Sequence, residues 1–511
     1  MNDKPKSVIQ PLAFWPAAIC LVIFVALGVV TPEKLGGILN GALDYISQKV
    51  GWLFMMYCLV NLFILLILAF TKYGDIRIGG KDAQPDLSMW QWISIALCSS
   101  IGTGILFWGL GEPIYHFAGP PEATGLTPFA RETGIFAVSQ ATFHWTLIQY
   151  SLYVIGGAAI ALTAYNSNTF SISNSIEGLV GKQRANGTLG HVSNALCIFA
   201  ICGGVGCSTA VAILQAGGGL NTLLGLEETS LLRFVIAALI TGVFVFTTVT
   251  GMKKGLKIVS DINAKIFFGM LAFIFIAGPT VFLADMTTTV FGDYVTTFFQ
   301  KATISNIMTT DEWAKYWTVQ YWASFIGCAP LIGMFYARLA KGRTLKQFIL
   351  VSLFVPSLFS FVWISMFGSM AVNLQVTGVV DVWGNIQANG MQHAVFTILK
   401  TFPLATLFIC VFLFALVCSI VTYADPMSAV LASMSCKTTN IEVEPPKHLK
   451  IFWGLAIGAT GYLLILSGGI NSVRGMFTLV GLPMMFLMMV IVVSTFKSAK
   501  TAYNEQFGPL K

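Results

Sequence analysis

Apolar residues run in blocks of about 20 along the whole chain, the length that crosses roughly 30 Å of hydrocarbon, and short polar segments separate them. A transmembrane β-barrel would show shorter, alternating segments instead. The pattern predicts twelve helical spans, near residues 12–30, 52–71, 91–110, 138–163, 192–218, 231–250, 262–284, 317–337, 347–372, 403–432, 450–468 and 474–496. A long connection at 285–316 carries apolar residues at near-helical spacing, so a short helix lying on the membrane surface is expected there.

Composition supports this class. Of 511 residues, 56% are hydrophobic and only 10% are charged, where a soluble domain carries about 25%. The fold class is therefore an all-α polytopic membrane protein. The ten cysteines lie mostly within apolar runs and read as small buried hydrophobes rather than a disulfide framework. The first apolar run is too long for a signal-peptide core and lacks a small-residue cleavage pattern.

Charge changes the picture only through topology. The net charge of +7 comes from basic residues scattered over separate loops, which gives no nucleic-acid signal. Of the 29 lysines and arginines, 20 fall on the side of the N-terminus and 8 on the opposite side, with Lys265 left inside a span. By the positive-inside rule both termini are expected in the cytoplasm of a cell-membrane protein.

Two spans contain helix breakers. The third holds SSIGTGILFWGLGEP, with Gly102, Gly104, Gly109 and Gly111, and is expected to end at Glu112-Pro113. The eighth holds FIGCAPLIGMF, with Gly327, Pro330 and Gly333. Proline removes a backbone donor and crowds the preceding turn. Such residues suit close helix packing. They also suit interrupted helices, which mark transporter binding sites when they recur at matching places in two halves. Five spans separate the two here, so the chain divides into 1–90 with two peripheral helices, a first repeat at 91–284, the loop 285–316, an inverted second repeat at 317–496 and a tail at 497–511.

Aromatic residues flank the breaks. The eighth span carries Tyr321, Trp322 and Phe325, and the fourth, FHWTLIQYSLY, carries Trp145, Tyr150 and Tyr153. Ring faces attract quaternary ammonium groups without a buried carboxylate. Tyr316 and Trp317, at a helix edge, also suit an interfacial belt.

The segments WTVQYWASFIGCAPLIGMFYARLAKGRT, FHWTLIQYSLY and LFWGLGEPIYHF resemble the betaine/carnitine/choline transporter family, as does GMKKGLKIVSD, over about residues 10–500. The resemblance implies twelve helices, two inverted five-helix repeats of LeuT type preceded by two helices, and a homotrimer. It implies a small zwitterion of the glycine betaine, carnitine or choline class as substrate, moved by alternating access as symport or antiport. Its aromatic box falls on Trp145, Tyr150 and Tyr153, with tyrosine at 150 where tryptophan is usual. On the eighth span the family's three tryptophans are replaced by Ser324, Phe325 and Cys328. Tyr115 matches a substrate-contacting tyrosine of carnitine-exchanging members. The departures leave open a less methylated or sulfonate zwitterion, sarcosine- or taurine-like, or a substrate:product exchanger.

The resemblance also bears on coupling. Sodium-coupled relatives hold an ion between the third and tenth spans, which here points to Gly102, Gly104, Ser419 and Thr422, with Na+ near Thr422 as the one ion to consider. Sodium-independent exchangers place an arginine where this chain has Asn263. Lys265 stands two residues on, either functional or snorkelling beside Asp261. Asp425, next to a break expected at Pro426, is read as the one acidic residue well inside a span.

Other classes are poorly supported. The five histidines are scattered without HExxH or Cys/His metal spacing, and no GxxxxGK[ST] phosphate loop is present, so neither a membrane enzyme nor an ATP-driven pump is expected and no cofactor is implied. A channel would show filter repeats. His144, beside Trp145, reads as a hydrogen-bonded structural residue or one that orients the site. The short tail TAYNEQFGPLK predicts no osmotic gating.

Overall fold

A computed structural model of the chain describes residues 8–100, 103–167, 172–251, 253–437 and 444–509. Among them the fold is helical throughout, with no β-strand beyond two isolated bridges, Ile9–Cys436 and Arg77–Thr344. Eleven helices are long and apolar enough to cross a membrane. The remaining expected span, the third, is present as two shorter helices, Met89–Ser100 and Thr103–Ala118, on either side of residues 101–102. Gly102, and the backbone at the expected interruption itself, lie outside the described residues.

Local chemistry sets several boundaries. The first two long helices, Pro11–Val30 and Pro32–Phe70, each begin on proline, whose missing N–H would have no helical partner there anyway. The second has 39 residues and so starts well before the expected residue 52. At 1.5 Å per residue it is about 58 Å long, so it projects beyond the bilayer. The helix Leu345–Thr377 opens on a capping box, Thr344 with Gln347, at the end of the ARLAKGRT segment. The last helix runs from Ile470 to Phe507 and takes in most of the expected tail. The 285–316 segment takes in most of the helix Thr280–Thr296 and all of Phe298–Thr303. The nine described cysteines are free thiols.

Burial separates a centre from a periphery. The Arg131–Ala164, Thr188–Leu224 and Lys315–Leu339 spans are 89%, 83% and 83% buried over their apolar windows, against 39% for Pro11–Val30 and 33% for Ser230–Thr250. The fourth, fifth and eighth spans therefore form the core, and the outer helices turn apolar faces to lipid.

Three expectations about breaks are corrected. The Thr103–Ala118 helix does not end at Glu112-Pro113 but runs through Pro113. The Gln320–Leu339 helix is unbroken through Gly327 and Pro330, after a π-helical turn at Lys315–Val319. Its small residues serve packing instead. A Cβ on Gly333 would meet the Gly157 backbone nitrogen at 2.5 Å and the Tyr153 carbonyl oxygen at 2.8 Å. The fourth and eighth spans thus touch backbone to backbone. Likewise the Ala405–Met434 helix continues through Pro426. The described break within the core lies where no glycine or proline marks it: the fourth span divides into Arg131–His144 and Leu147–Ser167, with Trp145 and Thr146 between.

Candidate functional site

The interruption at Trp145-Thr146 faces a cavity of about 80 Å³ between the third, fourth and eighth spans. A water needs roughly 10–15 Å³ in this measure, so the space suits a cluster of several waters or one small molecule. Trp145, Tyr321 and Phe325 form one wall. Trp145 lies 5.4 Å from each of the other two rings, at 71° and 73°, and Tyr321 stacks on Phe325 at 5.7 Å. Tyr153, Ser324 and Cys328 complete it from the same two helices, and Gly104 comes from the third span. A Cβ at Gly104 would stand 2.6 Å from the Trp145 ring, so only glycine lets the ring lie there. Among the described residues no charged side chain lines the cavity.

Three expected box residues stand elsewhere. Tyr150 is buried against the ninth span, its hydroxyl 2.9 Å from Ser360 Oγ. Trp322 faces Phe143 and His144 rather than the cavity. Tyr115 packs on Trp317 and Trp383, at 5.3 and 5.5 Å. Trp317 and Tyr316 hold the protein's own cation: the Arg474 guanidinium lies 4.9 Å from the Trp317 ring, 5.4 Å from Trp108 and 5.9 Å from Tyr316.

The sequence reading missed Glu112. Its carboxylate is fully buried behind the cavity's ring wall. Trp145 Nε1 and Tyr321 OH donate to Oε2 at 2.8 and 2.7 Å. His144 Nδ1 lies 2.6 Å and His116 Nε2 3.1 Å from Oε1. Trp313 Nε1 donates to His116 Nδ1 at 3.2 Å, which leaves the His116 proton on Nε2, facing the carboxylate. Glu112 therefore accepts four hydrogen bonds, which fill its acceptor sites and stabilise it ionised. It orients two of the three cage rings. The rule that an intramembrane acid marks function points to it, but a helix ending at Pro113 puts Glu112 outside the span and leaves Asp425 as the one candidate acid. Glu112, His116 and His144 are close enough to hold a metal. The hydrogen bonding opposes that, because both facing nitrogens point N–H bonds at the carboxylate. Trp108, Gln149, Gln320 and Tyr423 also line the cavity and were not singled out as substrate ligands.

The expected coupling residues divide. Asn263 Nδ2 donates to Ser419 Oγ at 3.0 Å, while Asn263 Oδ1 is buried without a partner. Thr422 Oγ1 donates to the Cys418 carbonyl at 2.8 Å, which leaves its lone pairs available. These hard oxygens fit an alkali cation. Lys265 is not part of this group: it is exposed and pairs with Asp261 at 2.6 Å.

A membrane-embedded helical core around a small, ring-walled cavity suits a small-molecule transporter. The model of the betaine/carnitine/choline family transporters matches residues 12–504, and the chain belongs to that family. It is 29% identical to a betaine/ectoine transporter, LcoP, of Corynebacterium glutamicum, over 98% of this chain and 79% of that protein. It is 28% identical to an ectoine/hydroxyectoine transporter of Virgibacillus pantothenticus, over 96% of both, and 26% identical to an osmo-dependent choline transporter, BetT2, of Acinetobacter baylyi, over 98% of this chain and 72% of that one.

Proposed function

We propose that the chain is a secondary active transporter of a small zwitterion or cation with an alkylated ammonium head, of the glycine betaine class, held against Trp145, Tyr321 and Phe325. The observation that carries this reading is the three-ring wall on a cavity without charged lining. A tetraalkylammonium head has no N–H to satisfy and a diffuse charge, so ring faces suit it better than a carboxylate would. The relatives named for betaine, choline and ectoine transport support the same class.

A second reading is favoured by Gln149. Its Nε2 donates to the Tyr153 hydroxyl at 3.2 Å while its Oε1 is buried without a partner. That free acceptor, with Ser324 and Cys328 where the family usually has indoles, suits a substrate carrying N–H or O–H groups, such as ectoine or sarcosine. Sodium at Asn263, Ser419 and Thr422 is the coupling ion this reading prefers. Two inverted repeats at spans three to seven and eight to twelve, a homotrimer and cytoplasmic termini complete it.

Uptake into proteoliposomes of glycine betaine, carnitine, choline, ectoine, sarcosine and taurine, each with and without an inward sodium gradient, tests the proposal. Accumulation of at least one ammonium compound above equilibrium is expected under the gradient. Failure of all six under sodium and proton gradients, and in exchange mode, overturns it.

A further inference from the structure

Glu112 connects the cage to a second buried group. His144 is fully buried, and its Nδ1–H points at the carboxylate. Its Nε2 lies 3.0 Å from both Thr318 Oγ1 and Gln140 Nε2. With the amide so placed, Gln140 Oε1 is buried and has no partner. Turning the Gln140 amide over, which exchanges nearly indistinguishable atoms, would set that oxygen against His144 Nε2. The oxygen is then satisfied only if Nε2 carries a hydrogen. The surroundings thus accommodate two states, neutral imidazole and imidazolium, without moving a helix.

We propose that the Glu112–His144 pair is a proton-binding site whose occupancy opposes occupancy of the aromatic cage. With His144 neutral, the cluster holds one negative charge directly behind Trp145 and Tyr321, and that charge favours a cation in front of the rings. A proton from water on His144 Nε2 forms an imidazolium–carboxylate pair with no net charge, and the attraction falls. Substrate binding therefore drives the proton off, and protonation weakens binding. The inference rests on the cage reading above.

The groups facing the pair are few. His116 and Tyr321 lie against His144, with ring centroids at 5.9 and 5.0 Å. Tyr294 meets the same break through Thr146. Arg474 acts on Glu112 and Tyr321 from the last helix. Lys301, paired with Asp293, rests over Phe136 on the same helix as His144. Among these, His116 is held in one tautomer by Trp313, which leaves His144 as the group with room for a second proton.

The test is histidine NMR on the full chain in detergent, labelled at Cε1. Five histidines give five signals. His144 is assigned by its loss in His144→Gln or, should that variant not fold, by elimination with His116→Gln, His191→Gln, His393→Gln and His448→Gln. The expected result is a His144 signal that moves on acidification as the second ring nitrogen takes up a proton, and that glycine betaine moves back toward the neutral form. Glycine betaine affinity should fall about tenfold as the pH is lowered through that change, the size expected for one charge within roughly 10 Å at an effective dielectric of about 20. Wild-type protein should also release protons to a pH dye on binding. A His144 signal that does not titrate, or a midpoint unmoved by saturably bound glycine betaine, overturns the proton site and leaves the cage intact. Absence of binding by glycine betaine, choline and ectoine alike removes the cage and the competition with it.

Discussion

The third and eighth spans carry the same sequence signal, glycine and proline inside an apolar run, and the structure gives it two meanings. At Gly104 a Cβ would strike the Trp145 ring at 2.6 Å; at Gly333 it would strike the Gly157 backbone at 2.5 Å. The first glycine makes room for a cavity-lining side chain. The second lets two core helices touch. What distinguishes them is the partner, not the residue, so the same substitution should injure different properties at the two places.

Gly333→Val should have the largest effect. It forces apart a backbone-to-backbone contact between two core helices and should cost about 3 kcal/mol or more, seen as loss of a monodisperse peak in fluorescence-detected gel filtration. A normally folded Gly333→Val protein would break the contrast from the packing side. Gly104→Ala should leave the melting temperature within a few degrees and weaken glycine betaine binding about tenfold, because the ring that moves belongs to the cage and cation–π contacts in desolvated sites are worth about 2 kcal/mol. Equal affinity in Gly104→Ala by calorimetry would break it from the other side. Phe325→Trp, which returns the larger π-surface usual in the family, should tighten binding of a trimethylammonium ligand a few-fold relative to ectoine. An unchanged ratio in competition assays would favour the N–H-bearing substrates. Lys265→Ala should change sodium-driven uptake less than twofold, since the side chain only pairs with Asp261 at the surface, where such pairs contribute about 0–1 kcal/mol.

Much of the fold was legible because hydrocarbon imposes a length and a composition that single residues rarely disguise. Eleven of the twelve expected spans coincide with long apolar helices, and differences gathered at their ends, where the Pro32–Phe70 and Ile470–Phe507 helices outrun their apolar cores. The cage was legible in part. Trp145, Tyr153, Tyr321, Ser324, Phe325 and Cys328 do line one cavity. Tyr150, Trp322 and Tyr115 do not, because helical phase and a break at Trp145-Thr146 rotate them away. That break is set by tertiary contacts rather than by glycine or proline, so no local signal announced it. Glu112 was hidden by the assumption that proline ends a helix. In a tightly packed membrane core neighbouring groups can satisfy the freed carbonyl, and the helix continues.

The proposed function places Trp145, held by Glu112, as a wall of the substrate site. Calorimetric titration of Trp145→Leu with whichever zwitterion the wild-type protein binds tests it most directly. Affinity should fall at least about 30-fold, the equivalent of 2 kcal/mol of cation–π attraction, with the melting temperature close to wild type. A variant that keeps its fold and binds within twofold of wild type would contradict the claim.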